Sequence, residues 1–381
     1  MVLLSVALAA LAFGSIEPGA IAPALAASTL TVFVAPSNKG GADAHTGLSR
    51  SSPILTLGRA QAVIRAANPA ADVVVDILQG DYTVGETDWS FYIPGHTISF
   101  IADGYVLGGG RPAAGDPVFT NAPVNGALPG AWWFKALLPS ATADTFFNGG
   151  TTGLRFYYLR VRDYTGGISF DGQTGRKQPA GATLYTKLSL GIDGNTVDGM
   201  SFEQIGDTFT PASTWWGFAA ILFTNSSNNL IDNNTFDQVE NTPAKGADHI
   251  HDLYVTHFSS NNTVTRNTFT TVTSYPIKVR DRSNFNDVDG NTFNDTSGTG
   301  TGGPSAYRDE FCNAACAAAN GEQAQCASYG NTFSGNSLGT LMGSGARQVA
   351  WTLSPTGQTN AGDAGCSIPS GLVRVSGSGN S

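Results

Sequence analysis

The chain has 381 residues, a formal net charge of −9 and only 13% charged residues. Such an acidic, charge-poor composition speaks against a nucleic-acid partner, and it would repel a polyanion everywhere except at a local basic patch. The 47 glycines, with few lysines and many Asn, Ser and Thr residues, suit a solenoid of strands and turns.

In chain order, residues 1–27 read as a signal peptide. Val2 to Phe13 is an apolar core of the right length, and Ala24-Leu25-Ala26 gives a small-x-small cleavage site, although the usual basic start is missing. No later stretch approaches the apolar length of a membrane span. The expectation is an exported, soluble protein, extracellular or periplasmic, with one domain over residues 28–381. Thr29 to Ala35 opens this domain as a strand. Leu57, Ala60, Val63, Ile64 and Ala67 then follow helical spacing and predict a short helix covering the first coil. Val73–Leu78 and Thr97–Ile101 read as buried strands. Residues 108–153, rich in Gly, Pro and aromatics (Trp132, Trp133, Phe146, Phe147), read as an excursion that could wall a groove.

The middle of the chain repeats. Asn195-Thr196-Val197-Asp198-Gly199-Met200-Ser201-Phe202 returns as Asn229 to Phe236, Asn262 to Phe269 and Asn286 to Phe293, and in degenerate form as Ser328 to Phe333. Between Phe202, Phe236, Phe269, Phe293 and Phe333 the steps are 34, 33, 24 and 40 residues. About two dozen residues suffice for three short strands and their turns, so the 24-residue step is a bare coil and the others carry insertions. Asn at a fixed turn tolerates left-handed backbone and can bond to its neighbours as a ladder. The fold predicted is all-β: a single-stranded right-handed parallel β-helix with a short N-terminal capping helix. A Greek-key sandwich with Asn-rich turns fits the regular steps less well. Cys312, Cys316, Cys326 and Cys366 lie in or after an insertion at about 303–328. In an exported protein they predict two disulfides, with three possible pairings.

Counting back eight residues from Asn229, Asn262 and Asn286 aligns Ile221, Tyr254 and Lys278. Alternation then predicts Ile221, Phe223, Asp252, Tyr254, Thr256, Lys278 and Arg280 facing out, with Ala220, Leu222, Leu253, Val255, Ile277 and Val279 facing in. Coils stack about 4.8 Å apart, which sets Tyr254 beside Lys278 and Thr256 beside Arg280, with His251 entering the same face. Tyr157 to Asp163 parallels Tyr275 to Asp281 and adds Arg160 and Arg162. Together with Arg282 and Lys187 these residues form the basic patch of an otherwise bland chain. That patch suits β-elimination on a uronate-rich acidic polysaccharide. The reaction needs a cation against the carboxylate, a base and an acid. Lys278, crowded by Arg280 and Arg282, is the expected base. Arg280 would grip the carboxylate, and Tyr254 or His251 would supply the acid. Arg282, Asp252, Arg160, Arg162 and Lys187 are the expected substrate-binding residues. An ordinary surface pair between Arg280 and Asp281 is the alternative.

Glycoside hydrolysis would need two carboxylates, with candidates at Asp248 and Asp252, at Asp281, and at Asp309 with Glu310. His249, His251 and His257 cluster, but the spacing supplies no third metal ligand. Ca²⁺ is the cation suited to bridging uronates, without a residue assigned to it. A phosphate-binding loop, a dinucleotide fingerprint and a nucleophile elbow are all missing from the sequence.

The Asn-x-Val/Ile-x-x-Asn-x-Phe coils resemble those of the pectate-lyase-like superfamily of right-handed parallel β-helix proteins. Val34-Ala35-Pro36-Ser37 with the helix after it, His251-Asp252-Leu253-Tyr254, and the Asp309-Glu310-Phe311-Cys312 stretch resemble secreted bacterial members. The resemblance covers roughly residues 30–340. It implies a carbohydrate-active protein. The lyases of this group use Lys and Arg on a strand face, often with Ca²⁺, and Lys278 and Arg280 match that pattern by register. The clustered Asp hallmark of polygalacturonases is absent. Other members are epimerases, tail proteins and adhesins, so an epimerase, a hydrolase or a non-catalytic glycan-binding solenoid are the alternatives. A monomer acting on an acidic polysaccharide, with no nucleic acid and no membrane span, is the expected form.

Overall fold

The computed structural model describes residues 29–139, 152–173, 178, 180–187, 191–210, 216–294, 305–342 and 344–381; the expected signal peptide, Phe146 and Phe147 lie outside them. Among the described residues every pairing between strands of the three sheets is parallel, and the chain winds through these sheets in turn. Among the described residues the first sheet has ten strands, from Leu30–Val34 to Val375–Ser376. The second has eight, from Asp81–Val84 to Ser337–Leu338, and the third has eight, from Thr87–Trp89 to Val349–Ser354. This is the right-handed parallel β-helix that the repeat requires.

The repeat explains itself residue by residue. In the first sheet Val197, Ile231, Val264 and Val288 stand in register and are buried. In the second, Phe202, Phe236, Phe269 and Phe293 are in register. Their rings stack at 5.2, 4.9 and 4.8 Å, each step adding about 0.5–1.5 kcal/mol beyond burial. At one corner the side-chain amides of Asn195, Asn229, Asn262 and Asn286 donate in sequence to the next Asn, at 2.8–2.9 Å. At the next corner Asn234, Asn267, Asn291 and Asn336 do the same at 2.9–3.0 Å. These amides are buried, so each ladder satisfies polar groups that would otherwise cost stability inside the turn.

The last coil differs from the sequence reading. Asn286 donates to Asn331 across 45 residues, and Asn291 to Asn336 across 45. Phe333 is therefore in register with Val288 in the first sheet, and Leu338 takes the position opposite Phe293. The Asn331-Thr332-Phe333 triplet imitates the second corner while occupying the first. Asn336 donates to Asn380, so the ladder runs one coil further than the pattern showed.

Two other segments also differ. Val118–Asn121 and Trp132–Leu137 are strands of the second and third sheets, so the described part of 108–153 is regular coil. Arg160–Arg162 is a strand of the second sheet, paired with Ser201 to Glu203, whereas Ile277–Arg280 lies in the third. Arg160 and Arg162 share no face with Lys278: they pair with Glu203 and Asp163.

The predicted helix is Leu57–Ala67. The Thr56 hydroxyl caps it, accepting from the Arg59 N–H at 3.1 Å, and Asn68 ends it in the left-handed region. It buries Leu57, Ala60 and Ile64 against the outermost strands of the first and third sheets. The Gln61 amide donates to Asp88 O at 3.0 Å and accepts from the Ser90 N–H at 2.6 Å, covering backbone of the edge strand. The disulfides are Cys312–Cys316 and Cys326–Cys366. Ser305–Glu310 belongs to the third sheet, and the cysteine-bearing insertion follows it with a short helix, Ala314–Asn320.

Candidate functional site

The outer face of the third sheet is the floor of a 730 Å³ cavity. Three neighbouring strands, His251–Thr256, Ile277–Arg280 and Ser305–Glu310, supply it. Tyr254, Lys278 and Arg308 stand level across the coils, and Arg280 stands level with Glu310. The inward positions between them are Leu253, Ile277, Val255 and Val279, all buried. Alternation thus fixes the direction of the polar side chains. One wall carries Trp216, Phe218, Asp248, His249 and Tyr275. The other is built by two loops that leave the third sheet four coils apart and meet. Tyr185 N–H donates to Ala324 O at 2.8 Å, and Ala324 N–H donates to Thr183 O at 3.0 Å. Tyr185 stacks on His257 at 3.8 Å, and Arg282 donates to the Tyr185 carbonyl.

The floor is a tight charge cluster. Glu310 accepts from Arg308 Nε at 2.7 Å and lies 3.4 Å from Lys278 Nζ. Burial would raise its carboxyl, but Lys278, Arg280 and Arg308 outweigh that and hold it at about 2, fully ionised. Arg280 donates to the Tyr254 phenol oxygen at 3.0 Å and to Gln325 Oε1 at 3.1 Å. Arg308 donates to the Tyr275 hydroxyl at 3.0 Å and lies over that ring. Lys278 Nζ lies 5.8 Å from the centre of the Tyr254 ring. His251 Nδ1 is 2.9 Å from Tyr275 O. A carbonyl only accepts, so Nδ1 carries the proton. Burial, then Lys278, push the ring's pKa well below the usual imidazole range, so the ring is neutral and Nε2 keeps its lone pair. The floor therefore combines a neutral imidazole, a phenol, three cations and one fixed carboxylate.

A family profile described as "Periplasmic copper-binding protein (NosD)" matches residues 144–364, a span that includes this cavity's floor and both its walls. The chain belongs to the NosD family. No curated protein matches it. Among solved structures, a rhamnogalacturonan lyase is similar at 12% identity with a TM-score of 0.34, the match covering 91% of this chain and 66% of that one. The NosD family is a periplasmic one by that description, and the two disulfides of this member fit an oxidising compartment. Among the described residues no helix is long and apolar enough to cross a membrane.

Of the residues singled out from sequence, this NosD-family chain brings Lys278, Arg280, Tyr254 and His251 into one cavity. Arg282 and Lys187 line a neighbouring one of 510 Å³, where Arg282 lies over Phe258 and holds Asp281 at 2.9 Å. Ile221 and Phe223 face in, because Ile221 is in register with Leu253 and Leu222 with Tyr254. The alignment from Asn229 was off by one residue because that turn is a residue shorter than the next. Of the hydrolytic candidates, Asp281 is buried between His257 and Arg282, and Asp309 is buried against Arg374. Arg308, Tyr275, Trp216 and Gln325 were not found from sequence.

Asp252 is not a substrate-binding residue: it is fully buried, and neither carboxylate oxygen has a hydrogen-bond partner. Burial, then Asp237, push its pKa well above the carboxylate range. A folded-state pKa above the unfolded one gives stability that is present below the unfolded pKa and lost as pH rises through the folded one. Asp252→Asn is therefore expected to be more stable than wild type at neutral pH, on the order of 1–3 kcal/mol, with little difference near pH ~3. Thermal unfolding across that range checks it. A variant as labile as wild type at neutral pH contradicts it.

Proposed function

We propose that the chain cleaves a uronate-containing polysaccharide by β-elimination in the cavity on the third sheet. The observation that carries this reading is the cluster of Lys278, Arg280 and Arg308 around Glu310 on the cavity floor. On the floor it sets three cations against one carboxylate in a chain of net charge −9, while Asp248 and Glu322 also line the cavity. The substrate carboxylate would sit against Arg280, Arg308 and Lys278, which neutralise it and stabilise the charge that develops next to it. His251 Nε2 takes the proton from the carbon α to that carboxylate. The C–H electron pair becomes the new double bond, the bond to the leaving oxygen breaks, and the Tyr254 O–H protonates that oxygen. Because Lys278 pairs with Glu310, we assign it to charge neutralisation and give the base to His251. Hydrolysis is the second reading, because Asp248 and Glu322 line the cavity beside Glu310. It has less support because Glu310, held ionised by the cations around it, has no proton to give, and Asp252, the carboxyl pushed up by burial, lies outside the cavity.

The NosD description speaks of copper. Among the described residues no three of His, Cys, Asp and Glu come together to hold a metal, and the four cysteines are consumed in disulfides. The donor set does not fit copper, and no step is routed through a metal. Ca²⁺ enters this proposal only as an ion bridging substrate uronates. We also propose that the leader over residues 1–27 is removed and that the single domain over 28–381 works outside the cytoplasm as a monomer.

The test is the ultraviolet absorbance of the unsaturated uronate product. It would be followed on polygalacturonate, alginate, glucuronan and mixed acidic polymers, with Ca²⁺ and with chelator. Product from wild type and its loss in Arg280→Ala is the expected result. Reducing ends released without ultraviolet absorbance would mean hydrolysis, and binding without product would mean a glycan-binding solenoid.

A further inference from the structure

The third sheet carries a second cavity, of 440 Å³, on the N-terminal side of the first. The two are continuous: Trp216 and Phe218 line both. The strands beneath them, from Trp132–Leu137 to Ser305–Glu310, are six successive members of one sheet, about 24 Å of groove at the usual strand spacing. That length holds several sugar units, so a polymer lying over Lys278 also lies here.

The chemistry of this half is different. Its lining is Trp132, Leu137, Trp216, Phe218 and Leu222, with a few polar groups. Leu222 stands where the next coil has Tyr254. Trp132 lies flat against the backbone of Gly166: a Cβ there would stand 2.5 Å from the ring. The glycine thus makes room for the indole, which lines the cavity with 8% of its surface exposed. Lys135 is neutralised by Glu86 at 2.5 Å and by Asp88 at 3.2 Å, and Asp171 adds a further acid at the rim. Among the described residues, a uronate would meet acids here with no cation to spare. The C–H face of an uncharged sugar, by contrast, packs well on indole and aliphatic side chains.

We infer that this half of the groove is a subsite for neutral sugar units, so that the substrate is an acidic heteropolysaccharide in which uncharged residues lie beside the uronate. This rests on the proposed reading of the first cavity and narrows its substrate.

The experiment is affinity electrophoresis and calorimetry of the whole chain with two linear polymers. Deacylated gellan has neutral sugars flanking each glucuronate, and polygalacturonate has none. Wild type is expected to bind gellan more tightly. Trp132→Ala should weaken gellan binding by about tenfold and leave polygalacturonate within about twofold. Leu222→Lys, at a half-exposed floor position, should also weaken gellan binding while its added cation leaves polygalacturonate binding equal or tighter, and covers the case in which Trp132→Ala fails to fold. Equal affinity for the two polymers, or equal losses on both in the variants, overturns the neutral subsite and leaves the uronate reading standing. No binding to either polymer overturns both.

Discussion

His251→Gln is expected to lower the turnover of an acidic polymer by about 10²–10⁴-fold while changing its affinity little. The glutamine amide can still donate to Tyr275 O, so the cavity keeps its shape; what it loses is the lone pair of Nε2. The pH dependence carries a second, independent consequence. Burial and Lys278 hold the imidazole well below its usual range, so the base stays competent into mild acid, and the acid limb of the rate profile lies below that of an ordinary histidine. Removing the positive charge in Lys278→Met makes protonation of His251 easier. The acid limb should then move to higher pH, although burial, the larger cause, still holds it down. Lys278→Met should also weaken substrate binding, because one of the three cations is gone. Full turnover in His251→Gln, with loss only in Lys278→Met, would return the base to Lys278.

The two ladders are why so much of the fold was legible. A buried turn amide must be satisfied in every coil by the same group in the coil above, so Asn recurs at Asn195, Asn229, Asn262 and Asn286 whatever the loops do. A stacked phenyl column imposes the same constraint on Phe202 to Phe293. Legibility failed where one residue type serves two positions: Asn331 and Phe333 match the motif but belong to the other corner. The strand Ser305–Glu310, with Arg308 on the cavity floor, was hidden by the insertion that follows it: Lys278 stands 8 residues before Asn286, but Arg308 stands 23 before Asn331. Tyr254, Lys278 and Arg280 were readable because strand alternation and coil stacking suffice to bring them together. Asp252 was misread because alternation breaks where its strand begins: His251 lines the cavity, and the next residue is buried without a partner. The contacts of Tyr185 with His257 and with Arg282 are set by loops without a period, and no local pattern announces them.

Arg374→Ala is expected to cost about 3–5 kcal/mol, the largest stability loss among single changes considered. Arg374 is fully buried just before Val375–Ser376, the last strand of the first sheet. Its Nε donates to Asp309 Oδ1 at 2.8 Å, and its Nη2 donates to Asp309 O at 2.9 Å and to Ser354 O at 3.3 Å. Its guanidinium also lies 5.0 Å from the centre of the Phe311 ring. One side chain thus ties the end of the first sheet to the last two strands of the third. Truncating it strands the Asp309 carboxylate in the interior, and that uncompensated charge is most of the loss. Arg374→Met with Asp309→Leu removes both charges and should recover most of the stability, since a buried pair and an apolar pair of similar size are often close in energy. Asp309 also alternates with Arg308 and Glu310 on one strand. Loosening it should disturb the cluster on the opposite face, so Arg374→Ala should lose polymer affinity even where it remains folded, and the double variant should regain it. Thermal unfolding and calorimetric titration of the two variants separate these effects. A double variant as unstable as Arg374→Ala would mean that the bonds Arg374 donates to the Ser354 and Pro355 carbonyls, rather than the stranded charge, hold this end of the helix together.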